Sequence, residues 1–301
     1  MESRYIYSKI IVIGSGKLAY NCAKEALKYI KNICVYELKL TESSILEKMC
    51  IKDFICYKTI DKAQLTEILQ YEQEDTLIVS AGSVYLIPKE IIKKSNFTII
   101  NWHNALLPFH KGRNAEAWAI FEGDENTGIT WHYVVEAIDQ GEIIIQKQIQ
   151  INSTTTSLSL LKMQYEVGFK AFTQILPWLL IGNIHSISQS NNKERIVQLF
   201  NGKEEKMHYS YEIPNEGYFN FCWDFKQASQ FLRAMDYGSL NLLGEIKIEY
   251  DGKEYFTRRY KIEANENINY QNKAIWMNEK RALYIFYDKN IIIFKELRGE
   301  K

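Results

Sequence analysis

The chain has 301 residues, 46% of them hydrophobic, and balances 37 Lys and Arg against 37 Asp and Glu. That length supports two hydrophobic cores, and a net charge of zero supplies no overall field to draw the chain to nucleic acid or an acidic membrane. Five scattered cysteines (Cys22, Cys34, Cys50, Cys56, Cys222) without a Cys-x-x-Cys pair, an apolar stretch from Ile175 to Ile184 too short to span a bilayer, and no apolar N-terminal signal segment together predict a cytoplasmic protein.

In chain order, Lys9 to Gly14, Ile33 to Glu37, Thr76 to Ser80 and Phe97 to Asn101 read as parallel strands, with helices near 17–30, 61–71 and 87–94 between them. Gly14-Ser15-Gly16-Lys17 follows the first strand and opens a helix, and Glu37 closes the second strand about twenty residues on, as in dinucleotide-binding sheets. The pattern then changes. Ala115 to Phe121 is a short helix, Gly128 to Val134 and Gly141 to Ile151 are two further strands, and Ser157 to Leu180 is a long helix. Its Leu158, Leu161, Tyr165, Phe169, Phe172, Ile175, Leu176 and Leu179 form one apolar stripe that suits packing on the sheet. Ser188 to Lys193 is polar and reads as a linker. From about 205, alternating aromatic-rich stretches (Glu245 to Tyr250, Tyr255 to Tyr260, Ala274 to Met277, Ala282 to Tyr287) predict a small β-domain.

The chemistry concentrates in the middle of the chain. Phe97-Thr98-Ile99-Ile100 reads as a buried strand, so Asn101 and His103, two residues apart, leave its end on one face and can address one reacting atom. Leu106-Leu107-Pro108 and Gly112 follow, then Thr127-Gly128-Ile129-Thr130-Trp131-His132 and Asp139-Gln140-Gly141. Taken singly, a histidine at a strand end suits a structural role and an aspartate before glycine suits a turn. His103, His110 and His132 lack a cysteine or paired carboxylate at ligand spacing, so no metal site is expected.

The order N-x-H-x-x-L-L-P-x-x-x-G, T-G-x-T-x-H, D-x-G at these distances resembles the folate-dependent formyltransferases. The likeness covers roughly residues 8 to 185 and, more loosely, the last hundred. It implies a Rossmann-like, mostly parallel α/β catalytic domain over 1–190 and an OB-like β-domain over 205–301. It also implies transfer of a formyl group from N10-formyltetrahydrofolate to an amine, with Asn101 and His103 facing the oxyanion and Asp139 relaying the proton. Thr130 and His132 share a face of the next strand and are expected to buttress Asp139. The resemblance places the pterin against two loops, Val84-Tyr85-Leu86-Ile87 and Val134-Val135-Glu136-Ala137-Ile138, bound by main-chain atoms. It places the glycine turn Gly14, Ser15, Gly16 and Lys17 on the acceptor side, where amides at a helix start can hold a phosphate.

An NAD-dependent oxidoreductase is the rival reading of the glycine turn, but it leaves Asn101, His103, Leu107, Pro108 and Asp139 unexplained. A formyl-folate hydrolase would keep the site with water as acceptor; such hydrolases carry an N-terminal regulatory domain that is not expected here. A non-catalytic relative would not need the intact Asn101, His103 and Asp139. For the acceptor, residues 202–301 carry 16 basic against 16 acidic residues, which does not suit a long polyanion. The run Arg113-Asn114-Ala115-Glu116-Ala117-Trp118 departs from the small residues and proline usual in methionyl-tRNA formyltransferases. Trp118-Ala119-Ile120 and Trp131-His132 resemble sugar N-formyltransferases. A nucleotide-linked amino sugar or other small or carrier-bound amine is therefore expected, with methionyl-tRNA as the alternative and a homodimer left open. Tyr209, Tyr211, Tyr218, Phe219, Phe221 and Trp223 suit an aromatic β-core better than a nucleobase platform.

Overall fold

The structure is a computed structural model and describes residues 5–38, 44–265, 275–277, these three by backbone alone, and 282–299. Ile10-Ile11-Val12-Ile13 and Leu77-Ile78-Val79 are apolar at every position, as strands covered on both faces require. They lie side by side in parallel within a seven-stranded sheet. In chain order the strands are β1 (Lys9–Gly14), β2 (Ile33–Leu38), β3 (Tyr57–Ile60), β4 (Thr76–Ala81), β5 (Phe97–His103), the two-residue β6 (Lys111–Gly112) outside this sheet, β7 (Asn126–Tyr133) and β8 (Ile143–Gln150). The sheet order is β3-β2-β1-β4-β5-β7-β8; the first five run parallel, and β7 pairs antiparallel with both β5 and β8. Helices α1 (Gly16–Ala26), α2 (Ile45–Lys52), α3 (Lys62–Tyr71) and α4 (Lys89–Ile92) fill the parallel crossovers; α5 (Ala115–Phe121), α6 (Ser157–Leu180), α7 (Gln189–Ile196) and α8 (Phe225–Met235) follow. The strand order reverses between β1 and β4, where open α/β sheets place ligands beyond the strands' carboxyl ends.

The chain divides into two compact units, each discontinuous in sequence: Met1–Gly112 with Asn126–Gln150 and Lys162–Met207, and Arg113–Glu125 with Ile151–Leu161 and His208–Lys301. In the first, the pairing of β5 with β7 sets Asn101 opposite His132 and His103 opposite Thr130. Strand alternation sends Trp102 and Trp131, also opposite one another, to the other face. There Trp102 meets Tyr165 at 5.1 Å and Trp131 meets Phe172 at 5.3 Å, both on α6, and Trp131 Nε1 donates to Gly168 O at 2.9 Å. A Cβ on Gly168 would lie 2.3 Å from Trp102 Nε1, so glycine lets the indole lie close against the helix. Each ring buries roughly 150–250 Å², against about 1 kcal/mol for a typical hydrogen bond. These two anchors therefore dominate in fixing the strands that carry the polar face.

The second unit builds its own core. Asp224 and Gln227 close a capping box at the start of α8. Phe219 packs on Phe231 and Phe294, and Tyr237 donates to Glu116 of α5 at 2.6 Å. Among the described residues its longer strands form an antiparallel three-stranded sheet (Ile246–Tyr250, Lys253–Thr257, Arg298–Gly299) and an antiparallel four-stranded sheet (Arg259–Ala264, Asn290–Lys295, Leu283–Phe286, Ile275–Met277). Buried Phe219 belongs to the expected aromatic core, whereas Tyr209 and Tyr211 stack on each other and are exposed.

The α/β reading agrees with this sheet, and the last hundred residues are β-rich as expected. Four details differ. Ser188 to Lys193 is not a linker: Ser188 caps α7, accepting from Asn191 N. Strand β5 continues through His103, so both Asn101 and His103 lie within it. Tyr255 to Tyr260 is split between two strands in different sheets at Arg258. The short α2 and edge strand β3 were not anticipated. Ala274, from the expected strand Ala274 to Met277, lies outside the described residues.

The glycine at the end of β1 has a packing reason. A Cβ on Gly14 would lie 2.1 Å from Ala81 O on β4, so the central pair closes only on glycine there. Gly14→Ala is expected to destabilise the protein by about 1–3 kcal/mol, the usual cost of forcing an extra carbon into packed structure. A urea-unfolding midpoint equal to that of the wild type would contradict this.

Candidate active site

The polar face of β5 and β7 meets one further residue, Asp139, on the loop after β7. Its backbone sits at φ 53°, in the left-handed region that non-glycine residues seldom occupy. Two residues on, a Cβ at Gly141 would lie 1.7 Å from Tyr133 O, so the loop can turn back on β7 only with glycine. That turn delivers the Asp139 carboxylate between two imidazoles: Oδ2 lies 3.5 Å from His103 Nδ1, and Oδ1 lies 3.5 Å from His132 Nε2. Gly112 N donates to Oδ2 at 2.8 Å. All three side chains are at least nine-tenths buried.

Both rings are oriented by the backbone. His103 Nε2 lies 2.8 Å from His110 O and His132 Nδ1 lies 2.8 Å from Tyr133 O, so each ring donates an N–H to a carbonyl. The other nitrogen of each ring, Nδ1 of His103 and Nε2 of His132, then faces the carboxylate. His132 Nε2 also accepts from Asn101 Nδ2 at 3.1 Å, which orients that amide; Nδ2 carries a second hydrogen.

The protonation states follow from this arrangement. Burial alone would raise the Asp139 pKa, but the facing His103 and His132 rings and the Gly112 N–H together hold it well below the usual carboxylate range. Burial pushes His103 below the usual histidine range, with Asp139 pulling the other way. The site therefore holds an ionised carboxylate beside a His103 ring that burial biases towards its neutral form. A proton arriving there lands between ring and carboxylate, so the arrangement can accept and hold one.

Thr130 has a different task from the expected one. Its hydroxyl donates to Ala105 O at 2.6 Å and accepts from Leu107 N at 3.1 Å, so it braces the loop after β5 and not Asp139. Gln146 Nε2 donates to Leu107 O and Thr130 Oγ1, both at 2.8 Å, and Gln164 Nε2 donates to Asn104 O at 2.7 Å. A Cβ on Gly128 would lie 2.5 Å from a Leu106 methyl, which ties the glycine of the T-G-x-T run to the leucine of the N-x-H run. Gln146, Gln164, Gln189 and Asn192 were not singled out in the sequence. The signal available was a set of amides, two of them three apart at Gln189 and Asn192, in otherwise polar surroundings.

The two expected folate loops converge. Val134 and Ile87 pack on the same core cluster as Tyr85, and Glu136 pairs with Lys89 of α4 and Lys93 just after it at 2.7 and 2.9 Å. Val84, Leu86, Val135 and Ile138 are 50%, 70%, 41% and 45% exposed, while Tyr85 turns inward and its hydroxyl meets Thr66 at 2.7 Å. At the glycine turn, Ser15 Oγ donates to Gly82 O at 3.0 Å, Gly16 takes φ 62° with open space at its Cβ position, and Lys17 is exposed. Glu37, the acidic residue of the dinucleotide pattern, is buried and accepts from Tyr57 Oη at 2.7 Å.

Fold and site thus define an α/β domain with an amide, two imidazoles and a carboxylate grouped where its sheet changes from parallel to antiparallel. Residues 30–176 match the family model described as formyl transferase. It is 32% identical over 163 residues to a methionyl-tRNA formyltransferase of Bacillus cereus (strain B4264), covering 54% of this chain and 51% of that protein. It is 32% identical over 160 residues to that of Bacillus thuringiensis (strain Al Hakam), covering 53% and 50%. The chain spans about half the length of the curated relatives it matches. The same fold occurs in WlaRD, a sugar 3N-formyl transferase crystallised with dTDP and 5-N-formyl-THF (TM-score 0.68, 21% identity, 95% of this chain and 97% of that one). It also occurs in an N-formyltransferase from Helicobacter canadensis in complex with folinic acid and dTDP-3-aminofucose (TM-score 0.71, 19% identity, 95% and 98%).

A depressed carboxylate pKa has a stability signature. Because the folded value lies below the unfolded one, near 3.9, the stabilisation is complete above that value and is lost as pH falls towards the folded pKa. The gap in thermal midpoint between wild type and Asp139→Asn should therefore narrow below about pH 4. A gap that stays constant from pH 7 to pH 3 would rule out this assignment.

Proposed function

We propose that this protein moves a formyl group from N10-formyltetrahydrofolate to a primary amine, that of a nucleotide-linked amino sugar or another small or carrier-bound amine. The observation that carries this reading is the buried Asp139 carboxylate facing one nitrogen of His103 and one of His132, with Asn101 bonded to the same His132 nitrogen. Folate fits the neighbouring loops. Four exposed aliphatic side chains, Val84, Leu86, Val135 and Ile138, offer apolar surface to a pterin on loops that pack on a shared core. When bound, the formylated folate supplies the electrophilic formyl carbon. Asn101 offers its second Nδ2 hydrogen to negative charge developing on oxygen at the face it shares with His103. The proton that the attacking amine must lose is taken up between Asp139 and the His103 Nδ1, from which it is available to a leaving nitrogen.

A small acceptor is supported by the balanced charge of residues 202–301, by the Arg113–Trp118 run, and by likeness in fold over 95% of the chain to WlaRD and the Helicobacter canadensis enzyme. The glycine turn at Gly14, Ser15, Gly16 and Lys17 is proposed for the acceptor's phosphate. Methionyl-tRNA is kept as a second acceptor because the sequence relatives carry that activity in their names.

The test is tetrahydrofolate release, followed by absorbance, with nucleotide-linked amino sugars assayed in parallel with methionyl-tRNA. Wild-type release should depend on an amino sugar; release with methionyl-tRNA alone would transfer the proposal to that acceptor. Asp139→Asn and His103→Ala are each expected to lower turnover at least about 100-fold, within the span general acid–base catalysis supplies, with folate affinity nearly unchanged. Near-normal turnover in either variant would overturn the site.

A further inference from the structure

We infer that α7 is a clip that positions the catalytic carboxylate, with Gln189 as the positioning residue for Asp139; this rests on the proposed role of Asp139. Gln189 Nε2 spends both hydrogens on the loop, donating to Asp139 O at 2.6 Å and to Gly141 O at 2.9 Å. One turn further along the same face, Asn192 Nδ2 donates to Leu107 O at 2.9 Å and to Gln146 Oε1 at 2.8 Å. One short helix thus grips both the loop that carries Asp139 and the loop that follows Asn101 and His103. Asp139 needs such a grip. Its left-handed backbone is a conformation that persists only when the surroundings impose it.

The helix holds its place without Gln189. Ser188 caps it, Ile187 forms a two-bond bridge with Ile143 at 2.8 and 2.9 Å, and Lys193 shares Glu205 with Lys111 at 2.9 and 2.7 Å. Gln189 Oε1 is buried with no hydrogen-bond partner among the described residues, so an apolar side chain of similar length can replace the amide without stranding a donor. Gln189→Met removes the two donors while keeping the volume, and Gln189→Ala removes both.

Two readouts separate positioning from simple structural support. In steady-state formyl transfer, both Gln189 variants should lower kcat by about 10- to 100-fold, as a small displacement of a reacting group does, with KM for the formyl donor within about twofold. The same substitutions added to Asp139→Asn should cost nothing more. Glu194→Ala, outward on the same helix, should behave as wild type. Independently of activity, NMR titration of ring-labelled histidines should show the His103 titration moving to lower pH in Gln189→Met, because Asp139, which opposes the effect of burial on that ring, is no longer held against it. Unchanged kcat together with an unchanged His103 titration would overturn the clip. A wild-type protein without transfer activity would instead defeat the proposed function, and the histidine titration would still decide the inference.

Discussion

The buried Asp139 carboxylate organises the first unit. Removing a carboxylate from water is costly unless polar groups compensate, and Asp139 receives a backbone N–H from Gly112 and lies 3.5 Å from one nitrogen of each of two imidazoles. Everything else in the first unit reads as support for that arrangement. β5 and β7 supply the rings, Trp102 and Trp131 lock those strands to α6, and Gly141 allows the loop to double back. Without that backing, the two nitrogens facing Asp139 would have no reason to stay 3.5 Å away from it.

The support is of two kinds, and they differ in reach. Apolar packing fixes whole elements: β1 against β4 through Gly14, and the tryptophans against α6 through Gly168. Hydrogen bonds from side-chain amides then set individual loop carbonyls, at Asn104, Leu107, Asp139 and Gly141. Packing is non-directional and locates strands; amide donors are directional and locate single atoms. Holding the Asp139 loop needs both, because a strand in the right place with a carbonyl turned away would leave the loop free to move.

The parts of the fold that were legible in the sequence are those governed by apolar periodicity. Lys9 to Gly14, Ala115 to Phe121 and Ser157 to Leu180 have the bounds expected from their patterns. Asn101, His103 and Asp139 could be brought together on paper because their motif spacing resembles a known family. What escaped was held by polar groups. Residues 188 to 193 lack an apolar stripe, since the inward face of α7 carries Gln189 and Asn192, so its pattern resembles that of a solvated linker. Tyr85 was grouped with its neighbours, yet Val84 and Leu86 point outward while Tyr85 turns in, an alternation too short to see in four residues. Thr130 was assigned to the carboxylate because it shares a face with His132; its hydroxyl is taken instead by Ala105 and Leu107, a long-range pairing with no local sequence signal.

The side chains that grip the loop carbonyls, Gln146, Gln164, Gln189 and Asn192, are all neutral amides. Lysine or arginine would make stronger bonds to carbonyls, but each would bring a charge near Asp139 and compete with the histidines for it. Amides neither titrate nor attract counter-ions, so their geometry is indifferent to ionic strength and to pH. The enclosure is electrostatically silent, and the acidity of the site can be tuned by its own ionisable members without moving the walls around them.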